Sequence, residues 1–219
     1  MLNWSDIHTV LLDMDGTLLD LHFDNHFWIE HVPKAFAEKH SVSLEKAQEE
    51  LKIQNDAVYG QLQWYCLDYW QQELDLPIVE LKREISHLIQ LREDTIPFLD
   101  ALKAAGKEVI LVTNAHPGSL SLKVEMTQLD THIDKLISCH QYGASKESQS
   151  LWQQLQQDVG FDNKHTLFVD DSKPVLASAR KFGIKHLLAV ANPDSKRLAK
   201  EIEGYINTTD FRDLITQIK

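Results

Sequence analysis

The sequence has little cysteine, no long apolar run and too few basic residues to balance its acidic ones. Two cysteines, Cys66 and Cys139, are too few for a disulfide framework. No apolar stretch approaches the roughly 18 residues that a membrane span needs. Lysine and arginine number 22 against 33 aspartate and glutamate, so the formal net charge is −11. Because such a surface repels phosphate backbones and anionic lipids, we expect neither nucleic-acid polymers nor membranes as partners.

The remaining composition is that of an ordinary globular protein. The chain has 219 residues, of which 43% are hydrophobic and 25% charged, and this length predicts one or two domains. The first residues lack the basic start and apolar stretch of a signal peptide, so we expect a cytoplasmic location. A small anionic substrate stays compatible with the acidic surface, because a local cation can override the overall field.

Short apolar runs alternate with amphipathic segments over most of the chain. The runs cover residues 9–12, 109–112, 136–137, 166–169 and 187–190. Runs this continuous are typical of strands buried on both faces of a parallel sheet. Three amphipathic segments end at Gly106, Gly160 and Gly183, where glycine favours a helix C-terminus. The alternation predicts an α/β fold with a doubly wound, Rossmann-like parallel sheet.

One interval, residues 21–92, interrupts this alternation. It contains four helical patterns and no convincing strand, and the clearest patterns cover 62–70 and 78–89. Pro33 falls within the first of these four patterns along the chain, which precedes both of the clearest ones. We expect a helix to begin at Pro33 rather than run through it. We predict an all-α domain at residues 21–92, the helical insertion, within an α/β core formed by residues 1–20 and 93–219.

Polar side chains follow several of the predicted strands. Asp13 and Asp15 follow the first strand, and Gly16 then permits a sharp turn. Lys146 is predicted to open the helix after the third strand. Ligands of doubly wound sheets bind at the carboxyl ends of the strands. We therefore expect six side chains to meet in one crevice: Asp13, Asp15, Thr113, Lys146, Asp170 and Asp171.

This set of residue types favours phosphate chemistry. Four carboxylates in one crevice repel each other unless a cation compensates, and their all-oxygen ligand set suits Mg²⁺. With Mg²⁺ and Lys146 present, the crevice attracts a phosphate dianion, to which Thr113 and Asn114 can donate hydrogen bonds. A carboxylate nucleophile can then form an aspartyl-phosphate. Asp15 is placed to protonate the leaving oxygen and later to activate water.

These residues resemble the four motifs of the haloacid dehalogenase-like superfamily, and they occur in the same order. The motifs are Asp13-Met14-Asp15-Gly16-Thr17, Thr113-Asn114, Lys146 and Asp170-Asp171. The helical insertion resembles that superfamily's α-helical cap, so the resemblance covers the whole chain. Within it, residues 11–28, 55–70, 91–99 and 113–117 are most similar to bacterial GMP/IMP 5′-nucleotidases.

The resemblance implies specific roles. Asp13 would be the nucleophile and Asp15 the acid and base. Mg²⁺ would lie between Asp13, the carbonyl of Asp15 and the Asp170-Asp171 pair. The sequence leaves open which aspartate of that pair binds the ion directly, although the commoner Gly-Asp form of the motif favours Asp171. The substrate would be a small phosphorylated metabolite, in particular a purine nucleoside 5′-monophosphate. One departure is Glu147, which stands where a proline commonly follows the lysine.

The helical insertion supplies candidates for substrate recognition. Trp64 falls opposite the apolar stripe of the 62–70 pattern and lies one helical turn from Asp68. The Trp64 ring could stack on a purine, while the Asp68 carboxylate could accept hydrogen bonds from the N1 and N2 edge of guanine. Asp24 is a further candidate for binding sugar or base, with a helix N-cap as the alternative.

Other functions share parts of this pattern. A phosphatase for a sugar phosphate or phosphoglycolate would use the same phosphate-binding residues. A 2-haloacid dehalogenase also uses an aspartate nucleophile, but it needs neither Asp15 nor a metal. Receiver domains combine similar residues, yet they are shorter and lack a helical insertion. A binding protein without activity is disfavoured because every expected catalytic position is filled. The sequence gives no oligomeric state.

Overall fold

A six-stranded parallel sheet forms the centre of the protein in the computed structural model, which describes residues 2–218. The strand order is β3-β2-β1-β4-β5-β6. The strands are β1 (Thr9–Leu12), β2 (Glu108–Thr113), β3 (Lys135–Ser138), β4 (Thr166–Asp170), β5 (His186–Val190) and β6 (Ile206–Thr208). Every neighbouring pair is parallel, so the predicted doubly wound α/β fold is confirmed.

The apolar strand runs arise because helices cover both faces of this sheet. Along β1, Val10 and Leu12 belong to one buried cluster, whereas Leu11 belongs to the cluster on the other face. The helices of the α/β core are α6 (Thr95–Ala104), α7 (Pro117–Thr127), α8 (Gln149–Val159), α9 (Lys173–Phe182) and α10 (Arg212–Ile215). Strand β6 was not predicted from the sequence, because this edge strand has three residues and Thr208 is its one buried member.

The helical insertion contains five α-helical segments rather than the four predicted. They are α1 (His22–His26), α2 (Val32–His40), α3 (Leu44–Val58), α4 (Leu67–Leu74) and α5 (Ile78–Glu84). The expected helix start at Pro33 was wrong, because α1 continues into α2 through a π-helical turn, Phe27–His31. Pro33 removes one helical N–H, and this wider turn immediately before it takes up the change in hydrogen bonding.

The 62–70 pattern was also wrong as a single helix. Residues Leu62–Tyr65 form a short 3₁₀-helix, and Cys66 has an extended backbone before α4 begins at Leu67. The later pattern is shorter than expected, since α5 ends at Glu84 and a 3₁₀ turn, Ser86–Leu88, follows it. Spacing of apolar residues alone does not reveal such a break, because both helix types place them on a similar face.

Two paired segments connect the helical insertion with the α/β core. The amide of Asp20 donates to the carbonyl of Gln90 at 3.0 Å, and that of Arg92 donates to Leu18 at 3.0 Å. One buried residue of the α/β core, Leu122, belongs to the buried apolar cluster of the insertion. These observations support the division at residues 20/21 and 92/93, which we retain as a proposal.

Within residues 2–218, no helix is both long and apolar enough to cross a membrane.

Candidate active site

Three carboxylates meet where β1 and β4 end. The amide of Asp13 donates to the carbonyl of Val169 at 3.0 Å, which extends the strand pairing by one residue. Asp13, Asp170 and Asp171 each offer an oxygen within 4.8 Å of the others. The side chains of Asp13 and Asp170 are buried, at 8% and 1% exposure. The sequence therefore placed these three residues in one cluster correctly.

Lys146 joins this cluster from a different position than expected. Its ammonium group donates to Asp13 and, at 2.8 Å, to Asp170. Lys146 does not open α8, because Ser148 caps that helix and Gln149 is its first residue. A backbone bond holds Lys146 instead, since its amide donates to Oδ1 of Asn114 at 2.8 Å. The lysine charge thus sits between two carboxylates without help from a helix terminus.

Gly16 makes room for this arrangement. It has φ +85°, a conformation that side chains with a Cβ rarely adopt. A Cβ at this position would lie 2.7 Å from Oδ2 of Asp171 and 2.9 Å from Cβ of Pro193. Glycine therefore allows both the turn after Asp15 and the close approach of Asp171.

The buried carboxylates carry more negative charge than Lys146 can balance. Burial raises the pKa of Asp13 to about 6; Lys146 opposes this shift and Asp170 adds to it. Burial and the neighbouring Asp170 and Asp13 raise the pKa of Asp171 well above its usual range. The pKa of Asp170 is also raised by burial. A divalent cation would relieve this repulsion, and three carboxylate oxygens are ligands that suit Mg²⁺. The residues present therefore fit the predicted metal.

Asp15 belongs to a second, unpredicted group of charges. Nζ of Lys123 donates to Oδ1 of Asp15 at 2.6 Å and to Oδ2 of Asp24 at 2.6 Å. Nζ of Lys82 donates to Oδ1 of Asp24 at 2.8 Å. Both lysine side chains are 2% exposed, so the four residues form a buried ion-pair network.

This network changes the interpretation of Asp24. Both of its carboxylate oxygens bind lysines, and the residue lies inside α1 rather than at its N-cap, which is Leu21. Burial opposes ionisation, but Lys123 and Lys82 outweigh it and hold the pKa of Asp24 well below its usual range. The N-cap alternative was wrong, and contact with sugar or base stays a prediction that this pairing does not favour.

A cavity of about 870 Å³ connects the carboxylates with the helical insertion. Its lining includes all six predicted crevice residues, Asp13, Asp15, Thr113, Lys146, Asp170 and Asp171, and also Asn114, the second predicted phosphate donor. Trp28, Trp64 and Trp70 line it from the insertion. The cavity is thus polar and anionic at the strand ends and aromatic at the opposite side. Such a lining suits a phosphate ester whose leaving group carries an aromatic ring.

Trp64 lines this cavity, but Asp68 does not. The indole Nε1 of Trp64 donates to Oδ1 of Asn55 at 2.8 Å. The side chain of Asp68 is 72% exposed and lies 3.4 Å from Nε2 of His116. The expected pairing of Trp64 with Asp68 was wrong, because Cys66 interrupts the helix that would have placed them one turn apart. Recognition of a base by Asp68 therefore stays a prediction.

Glu147 links the site to the helical insertion. Its Oε2 accepts from Nδ2 of Asn114 at 3.1 Å, and its Oε1 accepts from the hydroxyl of Tyr65 at 2.7 Å. Both atoms of the Asn114 amide are therefore engaged. The hydroxyl of Thr113 accepts from the amide of Ala115 at 3.0 Å and keeps its own proton to donate. Of the two predicted phosphate donors, Thr113 is the freer.

Sequence comparison agrees with this geometry. The model of the haloacid dehalogenase-like hydrolases matches residues 7–183. The chain belongs to this family. It is 47% identical to a GMP/IMP nucleotidase of Escherichia coli, YrfG, over 98% of this chain and 97% of that protein. The predicted family is therefore confirmed.

Solved structures show the same fold in this family. A HAD phosphatase from Thermococcus onnurineus has a TM-score of 0.78 at 21% identity, covering 96% of this chain and 97% of that chain. The L-2-haloacid dehalogenase from Xanthobacter autotrophicus has a TM-score of 0.66 at 16% identity, covering 97% and 98%. These two proteins carry different chemistries, so the shared fold does not decide between them.

Proposed function

We propose that the protein is a Mg²⁺-dependent phosphomonoesterase that hydrolyses purine nucleoside 5′-monophosphates such as GMP and IMP. One observation carries the proposal: Asp13 lies in a cluster with Lys146, Asp170 and Asp171. This cluster lines a cavity that is also lined by aromatic side chains. The name of the relative that is 47% identical supports the choice of substrate. The acidic surface is compatible with this small substrate because Lys146 supplies a local cation.

Asp13, the carbonyl of Asp15 and the Asp170-Asp171 pair would hold Mg²⁺. The ion would neutralise carboxylate and phosphate charge so that the two anions can approach. Asp170 already accepts from Lys146 and from the amide of Ser172, which favours Asp171 as the freer ligand.

Hydrolysis would proceed in two displacements at phosphorus. A carboxylate oxygen of Asp13 attacks phosphorus, the bond from phosphorus to the ester oxygen breaks, and Asp15 gives its proton to that oxygen. The ionised Asp15 then accepts a proton from water as the water oxygen attacks phosphorus. The bond between phosphorus and Asp13 breaks, which releases inorganic phosphate and restores both aspartates.

Asp15 is suited to the acid role. Burial raises its pKa to about 6, with Asp24 and Asp13 adding to the shift and Lys123 opposing it. A carboxyl group with such a pKa is partly protonated near neutral pH, whereas an exposed aspartate is not. Lys123 also fixes one oxygen of Asp15, which leaves the other free to face the ester oxygen.

A panel of phosphate esters with and without Mg²⁺ tests the proposal. We expect GMP and IMP to be hydrolysed with higher kcat/KM than a sugar phosphate or phosphoglycolate, and activity to vanish in EDTA. Asp13→Asn is the control for nucleophilic attack and should be inactive. A preference for phosphoglycolate or a sugar phosphate would overturn the substrate assignment. Chloride release from a 2-haloacid in EDTA would overturn the reaction. Cytoplasmic location remains a prediction that fractionation of the source cells can check.

A further inference from the structure

Asn55 is the neutral polar side chain of α3 that is fixed against the cavity. Helix α3 lines the cavity with Gln48, Leu51, Lys52, Asn55 and Asp56, and its C-cap residue Tyr59 also lines it. Lys52 and Asp56 bind each other and are exposed, so their charges face solvent. Asn55 is half-buried and lies within the helix, where its backbone groups are already used. Its side-chain amide is thus available for a ligand.

Trp64 determines which end of this amide is available. The indole N–H can only donate, so the atom of Asn55 that it contacts at 2.8 Å must be the acceptor Oδ1. Rotation of the amide by 180° would place two donors against each other. The Nδ2 group has no hydrogen-bond acceptor among residues 2–218, and it keeps both of its protons for a ligand.

Trp64 is itself held firmly. Its carbonyl accepts from Nε1 of Trp70 at 2.9 Å. Its ring packs edge-on against Tyr59 and Tyr65, with centroid distances of 5.2 and 4.6 Å. Because a ring with these contacts cannot turn freely, the amide orientation of Asn55 is preorganised before a ligand enters the cavity.

A fixed N–H donor discriminates between the two kinds of purine. A 6-oxopurine offers two acceptors, O6 and N7, on the edge where a 6-aminopurine offers one acceptor and an N–H₂ donor. A donor facing O6 forms a hydrogen bond, whereas a donor facing an amino group leaves both groups unpaired. The 2-amino group of guanine lies on another edge, so guanine and hypoxanthine would be treated alike.

We propose that Asn55 selects 6-oxopurines over 6-aminopurines, and that Trp64 is the positioning residue that fixes its amide. This inference rests on the proposed nucleotidase function and deepens it. It replaces the Trp64 and Asp68 pair of the sequence analysis with Trp64 and Asn55.

Asn55→Asp tests the selection directly. The variant keeps the acceptor for Trp64 but replaces the N–H₂ donor with a second acceptor. We expect the ratio of kcat/KM for GMP to that for AMP to fall by about 10- to 100-fold, and the IMP to AMP ratio to fall similarly. The loss on 4-nitrophenyl phosphate, which has no base, should be much smaller. Gln63→Glu makes the same amide-to-carboxylate change at an exposed position outside the cavity lining and controls for added charge.

Trp64→Phe tests the positioning role. Without the indole N–H the amide can adopt both orientations, so the GMP to AMP ratio should fall while Asn55 itself is unchanged. Combining it with Asn55→Asp should lower the ratio little further than Asn55→Asp alone, because the two residues act on one contact.

Two results would overturn the inference. One is an equal change of the ratio in Gln63→Glu and Asn55→Asp, which would assign the effect to charge. The other is an equal loss on all substrates, including 4-nitrophenyl phosphate, which would assign Asn55 a structural role. If the wild-type enzyme showed no higher kcat/KM for nucleotides than for 4-nitrophenyl phosphate, the proposed function itself would be refuted. This measurement on the wild type comes before any variant is made.

Discussion

At the scale of single residues, the site depends on which atoms can approach closely. Asp13 and Asp171 lie near enough for one ion because the turn after the first two motif aspartates contains no Cβ at Gly16. Burial raises the pKa of both carboxyls; Asp170 adds to the shift of Asp13, and Asp170 and Asp13 add to that of Asp171, so a cation would stabilise the ionised cluster. The packing that brings these carboxylates together thus also makes them repel each other, and a bound metal ion would relieve that repulsion.

Gly16→Ala tests this dependence on a missing side chain. We expect the variant to lose more than about 100-fold of kcat/KM, because the new Cβ must displace Asp171 or Pro193 or strain the backbone. Mg²⁺ affinity, measured by titration calorimetry, should fall in parallel.

Gly106→Ala is the matched control for backbone strain. Gly106 has φ +68°, and nothing lies within 4 Å of the position that a Cβ would occupy there. The variant should therefore cost about 1 kcal/mol of stability without loss of activity. Equal activity in the Gly16 and Gly106 variants would contradict the role of close approach.

At the scale of elements, the buried ion-pair network fastens three helices together. Asp24 lies in α1, Lys82 in α5 and Lys123 in α7, and Asp15 follows β1. Nζ of Lys82 also lies 4.8 and 4.4 Å from the ring centroids of Phe23 and Phe27. These cation–π contacts offset part of the free-energy cost of removing the ammonium group from water. The network therefore connects the packing of the helical insertion to the catalytic acid.

Lys123→Met should impair the acid step more than binding. The variant frees Asp15 from its one lysine partner, so we expect kcat on GMP to fall by about 10- to 100-fold. The loss should be smaller on 4-nitrophenyl phosphate, whose leaving group needs little protonation. Lys82→Met is the matched control, because Lys82 is as buried and binds Asp24 but not Asp15. Equal losses of kcat in the two variants would contradict a specific role for Lys123.

Asp24→Asn should destabilise the protein in a pH-dependent way. Two buried lysines then share a neutral partner, which should lower the free energy of unfolding by about 3 kcal/mol at pH 7. The pKa of Asp24 is lower in the folded than in the unfolded state, so its stabilisation is present above the unfolded value of 3.8 and lost as the pH falls below it. The difference from wild type in urea denaturation should hold above about pH 5 and narrow in more acid solution. A difference that grew in acid would contradict the ionised state of Asp24.

At the scale of the whole molecule, substrate access depends on how the helical insertion meets the α/β core. One direct polar contact between them is the bond from Tyr65 to Glu147, which in turn binds Asn114. Glu147 stands where the resemblance led us to expect proline, and a proline would offer no such bond. The contact therefore couples the position of the insertion to a residue of the phosphate site.

Tyr65→Phe should weaken this coupling. Loss of a hydrogen bond to a charged acceptor is worth about 1.5–3 kcal/mol, and we expect kcat/KM for GMP to fall by about 10-fold with most of the change in KM. Tyr69→Phe is the control, since the Tyr69 hydroxyl makes no hydrogen bond within residues 2–218. The interpretation would fail if both variants changed KM equally.

Much of the fold was predictable because its signals are local. Five of six strands were read from apolar runs, since a strand buried on both faces needs apolar residues at successive positions. The expected helix ends at Gly160 and Gly183 were confirmed, because glycine readily adopts the positive φ found there. Local signals failed at Pro33 and Cys66, where the type of helix changed without a change in the spacing of apolar residues.

The catalytic positions were predictable for a related reason, since strand ends in a parallel sheet share one edge. The network around Asp15 was not. Lys123 is 108 residues from Asp15 and 99 from Asp24, and Lys82 is 58 from Asp24. The one signal in the sequence was a lysine beside the apolar positions of α5, which by itself is typical of an exposed residue.

The sequence by itself determined the strand runs, the motif residues and the family, because hydrophobic pattern and turn chemistry act over a few residues. Only the tertiary structure decided that Asp24 is held by two lysines, that Trp64 faces Asn55 rather than Asp68, and that Glu147 reaches Tyr65. Such contacts depend on how distant elements pack, and no spacing along the chain specifies the distance between two side chains that folding brings together.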